Sequence, residues 1–210
     1  MKIKIGFFSV MLFLSLLLAH SYFALASFLA VAVHELGHII ASKLCGIQLY
    51  ECNIGIYGAG LTPRNMKYSY KDEIFLCACG PLINILSAIV FVPVYHAFPF
   101  PIILYFILSS LVLASLNLLP IKDFDGGRIF FSVLCLIAEP ILAERIIMTV
   151  SFILILFLWL VSVYLLLVSG ANLSLFIFSI SLFTKIFVEH WKRRKTMIFQ
   201  EIPRKHRFFA

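Results

Sequence analysis

Val31–Leu44 reads VAVHELGHIIASKL, two histidines and a glutamate in a run with almost nothing else polar. The run belongs to an apolar stretch over 22–45, and a bilayer crossing takes about 20 such residues. An ionisable group inside a span is costly, so it faces a bundle interior or a wet cavity. Residues four apart on a helix stand one above the other, so His34 and His38 project from one face about 6 Å apart. Glu35 sits a step around the same turn. A lone histidine here would be a polar residue bonded within a bundle. Two at HExxH spacing, with the glutamate between them, form a pair of imidazoles able to hold a metal and a carboxylate able to handle the proton of a water. Gly37 removes a side chain where another helix could come close.

The rest of the chain gives that helix its setting. Of its 210 residues 62% are hydrophobic, more than the roughly half of a soluble domain, so the sequence reads as an integral membrane protein. The formal net charge of +7 then reports orientation before it reports nucleic acid. Cys45, Cys52, Cys77, Cys79 and Cys135 have no metal or redox spacing, Cys77-Ala78-Cys79 not being CxxC. They read as buried thiols.

Six spans are expected, over 4–20, 22–45, 73–96, 102–119, 146–168 and 172–189. The apolar stretch 127–138 is too short to span and is expected to continue the fourth helix after a break at Pro120. Ala24-Leu25-Ala26 resembles a signal-peptidase site, but hydrophobicity runs on past it, so the segment before it is read as a retained helix. The stretch 46–72 mixes β-branched and aromatic residues with Gly55, Gly58 and Gly60 and reads as one or two short strands. The expected fold is therefore an all-α membrane protein of six transmembrane helices, with a three-helix core around the histidines and a short membrane-associated β segment. It forms a single domain over 1–210, its core at about 22–138 and a basic tail at 190–210.

Lysine and arginine flank alternate spans: Lys2 and Lys4; Arg64, Lys67 and Lys71; Lys122, Arg128 and Arg145; and the cluster after span six. The connections near 20–22, 97–101 and 169–171 have none. By the positive-inside rule both termini are cytoplasmic. The tail HWKRRKTMIFQEIPRKHRFF reads as an interfacial anchor, with docking of substrate or anionic lipid as the sharper alternative.

Two histidines leave a tetrahedral metal site short of a protein ligand. Asp72, Glu73, Asp123, Asp125, Glu139 and Glu144 are candidates. Asp125 stands out, because in NLLPIKDFDGGRI the residues Asn117, Pro120 and Asp125-Gly126-Gly127 interrupt an apolar run. Broken backbone at membrane depth is tolerated where it lines a wet cavity, and the two glycines would admit another helix. Asp123 is the local competitor.

HELGH in an apolar helix, then GPLIN at 80–84, then NLLP with DGG, resembles the site-2 protease family of intramembrane metalloproteases over about 22–138. The resemblance implies one Zn2+ on His34, His38 and Asp125, with Glu35 as catalytic base. It implies that Asn117 helps hold the substrate or its oxyanion. Asn84 matches a family position, with an interhelical hydrogen bond as its plainer reading. The short form, lacking a PDZ insertion and a CBS domain, looks most like the branch of stage IV sporulation protein FB, which processes a membrane-associated sigma-factor precursor. Expected partners are a membrane-associated protein substrate, the lipid bilayer and a membrane inhibitor or regulator, with no nucleic acid. The multi-pass protein would sit in a bacterial cell membrane. A transporter using the same three ligands would need polar groups across the outer half of the spans, which are nearly devoid of them. A proteolytically inactive relative would be expected to lose Glu35 or a ligand, and all are present.

Orientation can be checked with single cysteines at Thr62 and Thr196 in a background without native cysteines. An impermeant reagent should label neither in intact cells and both after lysis. Labelling of intact cells would reverse the topology.

Overall fold

The computed structural model describes residues 2–5, 22–47, 49–55, 58–63, 69–169, 176–185 and 188. In chain order these form β1 (Lys2–Ile5), α1 (Tyr22–Leu44), β2 (Leu49–Gly55), β3 (Gly58–Pro63), α2 (Tyr70–Ala97), α3 (Pro101–Asn117), α4 (Asp125–Ile137), α5 (Pro140–Ser169) and α6 (Phe176–Lys185). Three helices, α1, α2 and α5, are long and apolar enough to cross a membrane, and α3 and α6 are shorter apolar helices. The chain divides into two compact units, Met1–Met148 and Thr149–Ala210.

In the first unit α1, α2 and α3 pack on one another, and α4 packs on α2. Small residues bring the helices together. Ala26 and Ala30 of α1 are fully buried against Phe106 of α3, with Val33, Ile102 and Tyr105 around them. Ser27 and Ser109 share a hydrogen bond of 3.0 Å between α1 and α3, and Phe91 of α2 meets Phe106 edge-on with centroids 5.0 Å apart. Close backbones joined by hydroxyl contacts suit helices that have no hydrophobic drive to associate in lipid. In the second unit Ser162 and Ser179 pair at 3.0 Å between α5 and α6.

The helix ends follow local chemistry. α1 stops at Gly46, whose φ of 66° is left-handed. Ile47 N–H donates to the Ser42 carbonyl at 2.8 Å and Gly46 N–H to that of Lys43 at 3.2 Å, the paired bonds of a Schellman end. α2 starts with a capping box: the Ser69 hydroxyl accepts from Lys71 N–H, and Asp72 accepts from Ser69 N–H. Asp72 thereby serves the helix start.

The stretch between α1 and α2 contains β2 and β3, antiparallel, with β1 parallel to β2 in the order β1-β2-β3. Lys4 and Ile5 lie in β1, which corrects the start of the first expected helix. Lys2-Ile3-Lys4-Ile5 alternates with the period of a strand. The remainder of that expected span, 6–20, lies outside the described residues. So do the whole basic tail, 190–210, and parts of 172–189.

Two further boundaries are corrected. Residues 127–138 do not prolong α3; Asp125–Ile137 is a helix of its own. Between them the chain turns through bonds from Ile121 N–H to Leu119 and from Phe124 N–H to Ile121, at 2.7 and 2.8 Å. The glycines explain this turn. A Cβ on Gly126 would strike the Leu118 carbonyl, and one on Gly127 the Ile121 carbonyl. The close approach is to the chain's own preceding loop, where a second helix was expected. The other boundary is that of α5, which begins at Pro140 and takes in Glu144 and Arg145, expected before the span. Proline suits a first helical turn because its missing N–H would be unpaired there in any case.

Gly127→Ala places its methyl against backbone that has little freedom to move. It should lower stability by about 1–3 kcal/mol, the usual range for overpacking, as a drop in the thermal midpoint in detergent. An unchanged midpoint would show that the loop yields freely.

Candidate metal centre

His34 and His38 stand one turn apart on α1, and both are buried. Asp125, the first residue of α4, is buried opposite them. The Asp125 Oδ2 lies 3.0 Å from His34 Nε2 and 3.3 Å from His38 Nε2, and the two nitrogens are 3.2 Å apart. Three donor atoms on two helices thus meet at one point, and they form the cluster able to hold a metal among the described residues. Tetrahedral ligands at about 2.0–2.1 Å from a zinc ion stand about 3.3 Å apart. The separations and the His, His, Asp donor set both fit zinc.

The remaining ring nitrogens matter as well. His38 Nδ1 is 2.9 Å from the Leu76 carbonyl. A carbonyl only accepts, so Nδ1 carries the proton and Nε2 keeps its lone pair for a cation. His34 Nδ1 is 3.4 Å from the side-chain nitrogen of Asn84, which is fully buried on α2.

α2 can come this close because of Gly80. A Cβ there would run into the His38 ring and come within 2.9 Å of His34 Cε1. Gly37 does the same from the other side, since a Cβ on it would meet the Cys79 carbonyl at 2.6 Å. Pro81 follows Gly80 inside α2, and its missing N–H leaves the Cys77 carbonyl without its helical partner.

Asp125 is held from a distance. Arg128, one turn along α4, donates from Nε to Glu73 Oε1 on α2 at 2.7 Å, and its Nη2 reaches the same oxygen. This pair ties the helix that carries the ligand to the helix that packs on the histidines. Lys122 lies 3.9 Å from Glu144.

Glu35 is half-buried beside the histidines, and its Oε2 has no hydrogen-bond partner among the described residues. Asn117, the last residue of α3, donates from Nδ2 to the Leu113 carbonyl at 3.1 Å within its own helix. The structure therefore brings His34, His38 and Asp125 together with Glu35 alongside. Asp123 is exposed and outside the cluster, Glu73 is bound to Arg128, and Asp72 caps α2. Sequence reasoning missed Gly80 as the opening for the rings, the Leu76 carbonyl and the Glu73–Arg128 pair. The spacing of Glu73, Cys77, Gly80 and Asn84, which follows one helix face, was the available signal.

Residues 95–161, about a third of the chain, match Peptidase family M50. The match includes Asn117 and Asp125 and leaves out α1. A zinc metalloprotease of Methanocaldococcus jannaschii is 30% identical over 112 residues, which is 51% of this chain and 32% of that protein. The chain thus aligns with only about a third of that relative's length. The solved structure of a site-2 protease from Methanocaldococcus jannaschii superposes with a TM-score of 0.66 at 23% identity, covering 90% of this chain and 91% of that one. That likeness concerns the fold.

Arg128→Met removes a charged partner from a mostly buried carboxylate. A group left unpaired in this way costs about 1–3 kcal/mol. The variant should melt several degrees lower and yield zinc to a chelator faster than the wild type. The reversed pair Glu73→Arg with Arg128→Glu should recover part of both losses.

Proposed function

We infer that this chain is a member of the site-2 protease family, peptidase family M50, and a zinc-dependent intramembrane endopeptidase, a reading supported by the partial family match, the metalloprotease relative and the shared fold. The observation that carries the reading is the convergence of His34 Nε2, His38 Nε2 and Asp125 Oδ2 within 3.3 Å of one another, the two histidines on a helix long and apolar enough to cross a membrane. Neutral imidazoles with one carboxylate are a catalytic zinc set that leaves a coordination position open.

A zinc ion held there would acidify water and polarise the scissile carbonyl. Glu35 adjoins the ligands, and its buried oxygen has no other partner among the described residues. Its carboxylate takes a proton from the attacking water and passes it to the departing amine nitrogen. Asn117 retains a second amide hydrogen beyond its bond to Leu113, and that hydrogen serves the developing oxyanion. The ring orientations of His34 and His38 are fixed by α2, so the ligands need little rearrangement during the reaction.

An integral membrane setting follows from the family and from the apolar helices. The charge bias supports cytoplasmic termini, with the centre roughly 10–16 Å inside the cytoplasmic end of α1, at about 1.5 Å per residue. A helical substrate hides its amides, so it must unwind before cleavage. The β segment offers a strand edge for such a chain by β-augmentation. We take the substrate to be a membrane-associated protein. A sigma-factor precursor of sporulation is the finer choice, suggested by HELGHIIASKLCG. Restraint would come from outside the chain, through a membrane partner seated on apolar helix faces or through restricted expression.

The test is made on one preparation of the purified full chain in detergent. Zinc is measured by elemental analysis, and cleavage of single-span membrane polypeptides by mass spectrometry. About one zinc per chain is expected. Glu35→Gln should retain the zinc and lose cleavage by at least about a hundredfold, the lower range for general acid–base catalysis. Asp125→Ala should lose both, while Asp123→Ala keeps both. Wild-type cleavage in Glu35→Gln would refute the mechanism.

A further inference from the structure

Asn84 is fully buried on α2, one turn beyond Gly80, and faces the back of the His34 ring. Its side-chain nitrogen is 3.4 Å from His34 Nδ1, while its Oδ1 has no hydrogen-bond partner among the described residues. Burying an amide oxygen without a donor is costly. The same amide lies against a ring nitrogen whose protonation the metal site dictates.

The chemistry of the ring decides how these groups must be arranged. A neutral imidazole carries its proton on one nitrogen only. An amide N–H directed at Nδ1 needs a lone pair there, which places the proton on Nε2, where it can bond to Asp125 at 3.0 Å. A cation on Nε2 requires the other tautomer, with the proton on Nδ1. An amide N–H then meets a ring N–H, two donors facing each other in a dry site. A half-turn of the carboxamide about its terminal torsion resolves this without a change of volume. Oδ1 then accepts the Nδ1 proton and the orphaned oxygen gains its partner.

His38 needs no such device, because the Leu76 carbonyl already accepts from its Nδ1 at 2.9 Å. Leu76, Gly80 and Asn84 are spaced four apart along α2. One face of one helix thus supplies a carbonyl to one ring, space for both and an amide to the other.

We infer that Asn84 is a positioning residue of the metal centre, its carboxamide oxygen accepting the Nδ1 proton of His34 and so fixing the tautomer and rotation that present Nε2 to the cation. The inference rests on the zinc reading above and assigns to Asn84 a role beyond packing between helices.

The test compares zinc affinity, by chelator competition on the purified full chain, for wild type, Asn84→Asp and Asn84→Leu. Aspartate keeps an acceptor at the same place; leucine keeps the volume and removes the acceptor. Asn84→Leu should bind zinc about 10–100-fold more weakly, as is typical when the partner of a ligating histidine is lost. Asn84→Asp should bind at least as tightly as wild type. Cobalt-loaded protein gives a spectroscopic signature: the tetrahedral absorption bands should persist in Asn84→Asp and weaken or shift in Asn84→Leu. A purely structural role would lower the melting temperature of both variants and leave affinity and spectrum unmoved, which would overturn the inference. So would Asn84→Asp binding as weakly as Asn84→Leu. If Asn84→Leu does not fold, nitrogen-15 spectra of histidine-labelled, zinc-loaded wild type decide the matter. A protonated Nδ1 on His34 supports the inference, and zinc on that nitrogen overturns it. A wild type that binds no zinc would refute the protease reading itself, whereas tight wild-type binding matched by Asn84→Leu refutes only the role of Asn84.

Discussion

The contact between the α1 imidazoles and the bare backbone at Gly80 is the constraint on which the rest of the structure depends. Two imidazole rings, set edge to face, extend from α1 further than small-residue helix packing normally permits. They fit because α2 carries no side chain where they meet it. The same helix must also satisfy the nitrogens that face away from the ligand point, or the rings would turn toward other partners. A carbonyl at Leu76 and an amide at Asn84 do this one turn to either side. Close packing and hydrogen bonding are therefore met by a single face of α2, and a bulkier residue at Gly80 would defeat both together.

The carboxylate arrives under a different constraint. Asp125 opens α4, where exposed backbone N–H groups favour a negative charge. Its placement depends on how tightly the chain turns between α3 and α4. Gly126 and Gly127 let the first turn of α4 lie against the carbonyls of Leu118 and Ile121. Arg128 and Glu73 then fix the rotation of α4 about its axis by joining it to α2. Because α2 also packs on the histidines, the ligand helices share one reference surface, and an error in the position of α2 would be felt by all three donor atoms.

The legibility of the site in the sequence follows from this division. His34, Glu35 and His38 could be read because helical spacing is local and their polarity contrasts with an apolar run. Asp125 could be singled out because Pro120 and the two glycines broke another such run. The long helices α1 and α2 were legible from hydropathy to within a few residues. What the glycines met was not legible, since their partner was the loop before them and only the folded chain shows it. The start of α5 was misjudged because the helix was begun with its apolar part at 146, leaving Glu144 and Arg145 before it, although charged residues extend a helix readily beyond its apolar part. The pairing of β1 with β2 joins residues far apart in the chain, and such register leaves no local mark. Glu73 was weighed as a ligand because its charge was visible and its partner Arg128 on another helix was not.

Catalysis and stability make opposed demands on such a centre. Holding two imidazoles and a carboxylate within 3.3 Å of one another in an apolar surround requires each remaining polar atom to be matched, because an unmatched one is most costly where water is scarce. The backbone meets the need at Leu76, and the Glu73–Arg128 ion pair meets it for α4. The polar atoms left without partners among the described residues include Glu35 Oε2 and Asn84 Oδ1, and both lie next to the ligand histidines. A third such atom, Ser110 Oγ, is on α3; the two beside the histidines differ from it in adjoining the ligand residues. They mark where the folded chain reserves bonding capacity, on one side for a proton in transit and on the other for the ring that must present its lone pair to the metal.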